Sequence, residues 1–283
     1  MQNPHTKWRI DFAKHLTKRL VTFEGIKAII IAGSVARDFA DEYSDVEIPI
    51  FWETLPDDAT RHAIVAALHA NFLYAYDGPA REDQLLINGF QVDLWHISVA
   101  REEAVIKAVL EGHDLDLGGL NAMDTIRSCI PLYGQEIVKK WKEQVQAYPE
   151  GLAMQIIQDH ISSFKIAELF ILATRDNPTA FYRQLSCLHQ EIFLVLLALN
   201  RRYFPTFKWL FRALESMQVK PKNIDQRLRQ AFKIPYSETI ADTRRILEET
   251  LKLVELQFPQ LDTALAHRQL RYTRTAHLKP ITS

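Results

Sequence analysis

Near the start of the chain hydrophobic residues recur at every fourth position: Trp8, Phe12, Leu16 and Leu20, with Lys7, Lys14, Lys18 and Arg19 elsewhere. That spacing lines one face of a helix and predicts a helix over 6–20. The pattern then changes. Lys27 to Ala32 is mostly apolar, rich in isoleucine and stopped by Gly33, which predicts a short buried strand. Ser34 to about Ala40 has the length of a short helix. Val46 to Trp52 reads as a second strand, and Pro49 within it cannot donate to a ladder, which predicts a sheet edge or a bulge there. Asp57 to Asn71 returns to helical spacing through Ile64, Ala67 and Leu68, with acids in the first turn where the helix dipole favours them. Gln84–Ile87 and Phe90–Trp95 then flank Asn88-Gly89, a pair that tolerates the positive φ angles of a tight hairpin turn.

Around Pro131 and the Tyr148-Pro149-Glu150-Gly151 stretch the alternation of strands and helices ends. Beyond it the spacing is helical throughout, predicting helices at 151–174, 179–201, 206–217 and 236–257. Asn177-Pro178-Thr179 and Tyr203-Phe204-Pro205 punctuate them. The chain therefore reads as an α+β protein, with an α/β domain over 1–125 and a helical domain over 126–283. The basic, polar stretch 268–283 is expected to be loosely ordered.

Composition narrows the function. The 283 residues carry a formal net charge of −1, which argues against a protein built mainly to grip nucleic acid. Cys129 and Cys187 are far apart and lack metal-ligand spacing, so two free thiols are expected. The segment MQNPHTKWRIDF has no apolar signal region, and Ile192–Leu199 falls far short of the roughly 20 residues that span a bilayer. These features point to a soluble, cytoplasmic protein without a membrane partner.

The candidate chemistry lies between Gly33 and Asp93. Gly33-Ser34 makes a small turn after the first strand, and its backbone N–H groups could meet a phosphate. Asp45 and Glu47 flank Val46, so on a strand both project from one face. Neighbouring carboxylates repel unless a cation lies between them. Asp93, in the second strand of the hairpin, would add a third carboxylate if that strand pairs beside the one carrying Glu47. Three carboxylates and a phosphate suit Mg²⁺, a hard cation with a preference for oxygen.

An apolar strand, Gly33-Ser34, a spacer, Asp45-Val46-Glu47 and a later lone acid, Asp93, together resemble the signature of the DNA polymerase beta-like nucleotidyltransferase superfamily. The two-domain layout is similar to the aminoglycoside and lincosamide nucleotidyltransferase branch. The resemblance implies a catalytic domain with a small mixed sheet flanked by helices, then an all-helical domain that helps shape the acceptor site. It implies transfer of a nucleoside monophosphate, AMP from ATP or its equivalent from another NTP, to a hydroxyl of a small molecule, antibiotics among them, with release of pyrophosphate. It further implies that Asp45, Glu47 and Asp93 hold two Mg²⁺ ions and that Asp93 takes the acceptor's proton. Gly33 would let the chain approach the triphosphate, Ser34 would hydrogen-bond it, and Arg37 would meet its phosphates. The chain departs from many relatives in having Asp38, rather than glycine, after Ala36-Arg37. An acid there is expected to face solvent.

The helical half offers further candidates. Lys208, ahead of Trp209, is a candidate phosphate contact or else a surface lysine beside a core tryptophan. Glu168 is a candidate general base, with Asp159 a weaker one, although Lys165 and Glu168 could equally form a surface pair. His189 and Glu191 interrupt an apolar helix and either line a cavity or satisfy neighbours, while His96 at a strand end reads as structural. A protein or RNA acceptor is the alternative to a small molecule, and a non-catalytic nucleotide-binding regulator is the alternative to an enzyme. A homodimer is compatible with the apolar helices.

Overall fold

The computed structural model describes residues 3–78 and 81–276. It opens with α1 (Pro4–Leu20), started by Asn3, whose side chain accepts from the His5 N–H, and by Pro4, whose missing N–H costs nothing in a first turn. Its buried face runs through Arg9, Ala13, Leu16 and Leu20. Trp8 and Phe12 sit on the shoulder of that face and pack edge-on against Phe90.

Then follow β1 (Ile26–Ile31), the short α2 (Gly33–Ala36), β2 (Val46–Trp52), α3 (Asp58–Ala67), β3 (Asn71–Tyr76), β4 (Arg81–Ile87) and β5 (Phe90–Ser98). After these come α4 (Val99–Gly112), α5 (Leu117–Ser128), β6 (Ile130–Tyr133) and α6 (Gln135–Gln146). The strands form one six-stranded sheet in the order β3-β4-β5-β2-β1-β6. Only β2 and β5 run parallel; the other pairs are antiparallel. The hairpin turn takes the expected form, with φ of 51° at Asn88 and 80° at Gly89.

Alternation along β2 and β5 divides the sheet into two faces. Val46, Ile48, Ile50, Trp52, Val92 and Leu94 join Leu16 and Leu20 of α1 and Ile64 and Leu68 of the α3 segment in one apolar core. Glu47, Pro49, Phe51, Asp93 and Trp95 belong to the opposite face, where Phe51 packs against Trp141 of α6 at 4.8 Å.

Pro49 does not mark an edge: β2 lies between β5 and β1. It stands opposite Trp95 in an unbroken parallel ladder, and the regular pairs with β1 reach only to Ile50, the residue beyond it. On the β1 side the Ala32 N–H bonds the Glu47 carbonyl beyond it, so the proline sits inside a central strand and leaves one donor out of that pairing.

The chain divides into two compact units, Met1–Ala147 and Tyr148–Ser283. The segment from 126 to 147, which the expected boundary at 125 placed with the helical half, packs with the sheet because β6 pairs with β1 and α6 covers β1. The second unit is all-helical: α7 (Glu150–Ile161), α8 (Ala167–Thr174), α9 (Pro178–Leu199), a 3-10 turn (Phe207–Trp209), α10 (Leu210–Glu215), α11 (Ile224–Gln230), α12 (Tyr236–Gln257) and α13 (Ala264–Arg271). Every residue from Ile192 to Leu199 is buried, so α9 is the axis on which α7, α8 and α12 pack.

The helix expected over 151–174 is broken at 162–166. There Ser162 turns its hydroxyl back to the Asp159 carbonyl at 2.6 Å, a local bond that competes with the helix. Helix α13 carries the order of the chain to Arg271, into the expected loose tail. The last part of that tail, 277–283, lies outside the described residues. Cys129 is buried, Cys187 is half-buried, and both are free thiols.

Candidate functional site

The parallel pairing of β2 with β5 sets Glu47 directly opposite Asp93. Both side chains therefore leave the same face of the sheet as neighbours. Asp45 lies one residue ahead of β2, at the end of the loop that leads into it. Asp93 is buried and accepts a hydrogen bond from Gln91 Nε2 at 3.0 Å, while Asp45 and Glu47 are half-buried.

Gly33 closes the other side of Glu47. It has φ of +61°, and a Cβ placed on it would lie 2.0 Å from Glu47 Oε2. The Ala32 N–H also donates to the Glu47 carbonyl at 3.0 Å, tying the turn after β1 to β2. The glycine thus serves the carboxylate: only a residue without a side chain leaves room for it in this backbone conformation. Ser34 is buried in the same turn.

The loop into Asp45 is held from two sides. Asp41 Oδ1 accepts from the Tyr43 N–H at 3.0 Å and from the Ser44 hydroxyl at 2.9 Å. Arg9, buried on α1, donates to the Ser44 carbonyl at 2.9 Å and to the His5 carbonyl at 2.8 Å. Burial lowers the pKa of the Arg9 guanidinium, and the charges of Asp41 and Asp45 partly offset that shift. The sequence pattern had marked Arg9 only as part of a helix. Its burial against a carboxylate-bearing loop depends on α1 and 41–45 meeting, which no local spacing reveals.

Arg37 has a partner in the fold. Its Nε donates to Asp124 Oδ2 on α5 at 3.0 Å, and Nη2 binds the same oxygen. Asp38 is exposed, with φ of +58°, so it occupies the left-handed region that glycine favours and that Asp tolerates better than most residues.

Register adds residues that the motif did not mark. Gln84 of β4 stands opposite Asp93, and Glu82 opposite Trp95, so both share the carboxylate face. Among the described residues, no three His, Cys, Asp or Glu side chains come together closely enough to hold a metal ion. What the register supplies is two neighbouring carboxylates, Glu47 and Asp93, on one face of the sheet.

On the opposite face His96 is structural. Trp52 Nε1 donates to His96 Nδ1 at 3.1 Å, which leaves the proton on Nε2 to meet Asp83 Oδ2 at 3.1 Å. Arg61 binds Asp83 through Nε and Nη2 and reaches Asp77 at 2.7 Å. Burial pushes the Asp83 carboxyl up, but the bonds from His96 and Arg61 outweigh it and hold the pKa below its ordinary value.

The remaining candidates belong to the second unit. Lys208 is exposed, with Nζ 5.2 Å from the Trp209 ring centroid. Glu168 lines an open cavity of about 580 Å³ together with Lys165. Asp159 is exposed. Glu191 meets His160 Nδ1 at 2.8 Å, and His189 is buried with Nε2 unpartnered, its pKa lowered to about 4 by desolvation.

Comparison with known proteins adds little to this geometry. The family model described as "Domain of unknown function (DUF4037)" matches residues 130–210, less than half of the chain and outside the segment that carries the three acids. No curated protein matches. The crystal structure of a nucleotidyltransferase-like protein from Exiguobacterium sibiricum 255-15 is similar at 12% identity, over 87% of this chain and 76% of that one, with a TM-score of 0.44. At that score the likeness assigns no activity. Among the described residues no helix is long and apolar enough to cross a membrane.

Proposed function

We propose that the first unit is the catalytic domain of a metal-dependent nucleotidyltransferase of the polymerase beta-like kind. It would transfer a nucleoside monophosphate, AMP from ATP, to a hydroxyl of a small acceptor and release pyrophosphate. One observation carries this reading: Glu47 and Asp93 share a register position across β2 and β5, while Gly33 is shaped around the Glu47 carboxylate.

Asp45, Glu47 and Asp93 would hold Mg²⁺. When bound, the metal neutralises charge on the triphosphate and on the oxygens entering and leaving phosphorus. The chain's own contribution is alignment. Gly33 and Ser34 bring backbone close to the triphosphate, and the Arg9-braced loop fixes Asp45 before substrate arrives. Asp93, buried beside Glu47, would accept the acceptor hydroxyl's proton. Arg37 keeps the turn after α2 attached to α5 through Asp124, a positioning role that leaves direct phosphate binding to other groups.

The test is release of pyrophosphate from each of the four ribonucleoside triphosphates with Mg²⁺ and with chelator, using cell extract as a source of acceptors. Release that needs both metal and extract supports the reading. A chain inert with every triphosphate and acceptor fraction would overturn it.

A further inference from the structure

The cavity beside Glu168 lies wholly within the helical unit and has a marked charge bias. Lys165, Arg175, Arg268 and Arg274 line it, against Glu168 as the one acid. None of the four cations is ion-paired with an acid among the described residues. Four cationic residues against one acid leave the lining net positive, which favours an anion there. The guanidinium groups suit a carboxylate or phosphate in particular, because their paired N–H donors match its two oxygens.

Charge is half of the description. Ile171 and Leu172 of α8 and the Tyr272 ring supply an apolar wall. A free inorganic ion would leave that wall wet. The volume, about 580 Å³, is within the usual range for small-molecule sites. We infer that the helical unit binds a small organic anion, a carboxylate or phosphate attached to an apolar, ring-sized body, between α8 and the α13 segment. A polycationic acceptor does not fit this cavity, because it would meet four like charges. The inference stands whether or not the first unit transfers nucleotides.

The probe for the test is 8-anilinonaphthalene-1-sulfonate, an anionic aromatic dye, titrated into the full-length chain and followed by fluorescence. Its neutral relative N-phenyl-1-naphthylamine is titrated in parallel. The parent is expected to bind the anionic dye saturably at one site. Arg175→Gln with Arg268→Gln should weaken that binding about tenfold and change binding of the neutral dye less than about twofold. A molten-globule variant would bind more of the dye and an unfolded one less, so each variant's cooperative melting curve is recorded to show that weaker binding is not loss of the fold. Glu168→Gln supplies the opposite sign: loss of the one acid should tighten the anionic dye about twofold to threefold. The inference fails if the parent shows no saturable binding, if the double variant binds like the parent, or if Glu168→Gln weakens the anionic dye.

Discussion

Gly33 presents its bare Cα to the carboxylate of Glu47, and a methyl group there would overlap Oε2. The contact joins the turn after β1 to the strand that carries Glu47 and follows directly on Asp45. Gly33→Ala is therefore expected to act twice. The positive φ disfavours alanine by about 1 kcal/mol or more, and the new methyl displaces Glu47. Thermal melting should fall by a few degrees, while metal-dependent pyrophosphate release should fall at least about tenfold at a temperature where the variant is folded. A variant that melts lower but keeps full turnover would show that the contact is structural only.

The buried network on the opposite face makes a contrasting prediction. Asp83→Asn leaves Arg61 buried with only Asp77 and Asp58 as acidic partners. Removing one partner of a buried pair costs about 3 kcal/mol, readable in urea unfolding. Because the Asp83 carboxyl is held below its unfolded value, its contribution is present above that value and fades as pH falls through the folded one. Turnover per folded molecule should be unaffected, since Asp83 lies on the face of the sheet opposite Glu47 and Asp93.

Glu102 gives the opposite pH dependence. It is buried on α4, and desolvation raises its pKa to about 7 from an ordinary 4.5. The fold thus favours the protonated form, so the contribution is fully present below the unfolded pKa and is lost as pH rises through about 7. Glu102→Gln should flatten this dependence and make the protein more stable than the parent at pH 8, by about 3 kcal/mol at most. Denaturant titrations at pH 5 and pH 8 check it. Equal stability differences at the two pH values would mean that the carboxyl is solvated.

Much of the site was legible because it is local in sequence. The strand–turn–strand around Gly33, the Asp45-x-Glu47 spacing and the Asn88-Gly89 turn each follow from short-range backbone rules, and the strands appeared near their expected places. So did α12, where 236–257 keeps a single amphipathic period. What escaped depends on distance or on weak patterning. Most of β3 is exposed, so no buried alternation marks it. Strand β6 is four residues long and contains Pro131. The partner of Arg37 lies 87 residues away, and the Arg61–Asp83–His96 network joins three separate elements. Pro49 was misplaced because a rule about edges was applied to a strand that lies between β5 and β1, a neighbour relation that sequence spacing does not reveal.

The most direct measurement compares the parent with Asp45→Asn combined with Glu47→Gln, two changes that keep side-chain shape and remove charge. Both proteins are assayed for Mg²⁺-dependent release of pyrophosphate from ATP in the presence of acceptor extract, with melting curves to confirm folding. The expected result is a double variant that melts cooperatively like the parent and is slower by about a thousandfold or more. Turnover equal to the parent's would contradict the assignment of these carboxylates, and with it the nucleotidyltransferase reading.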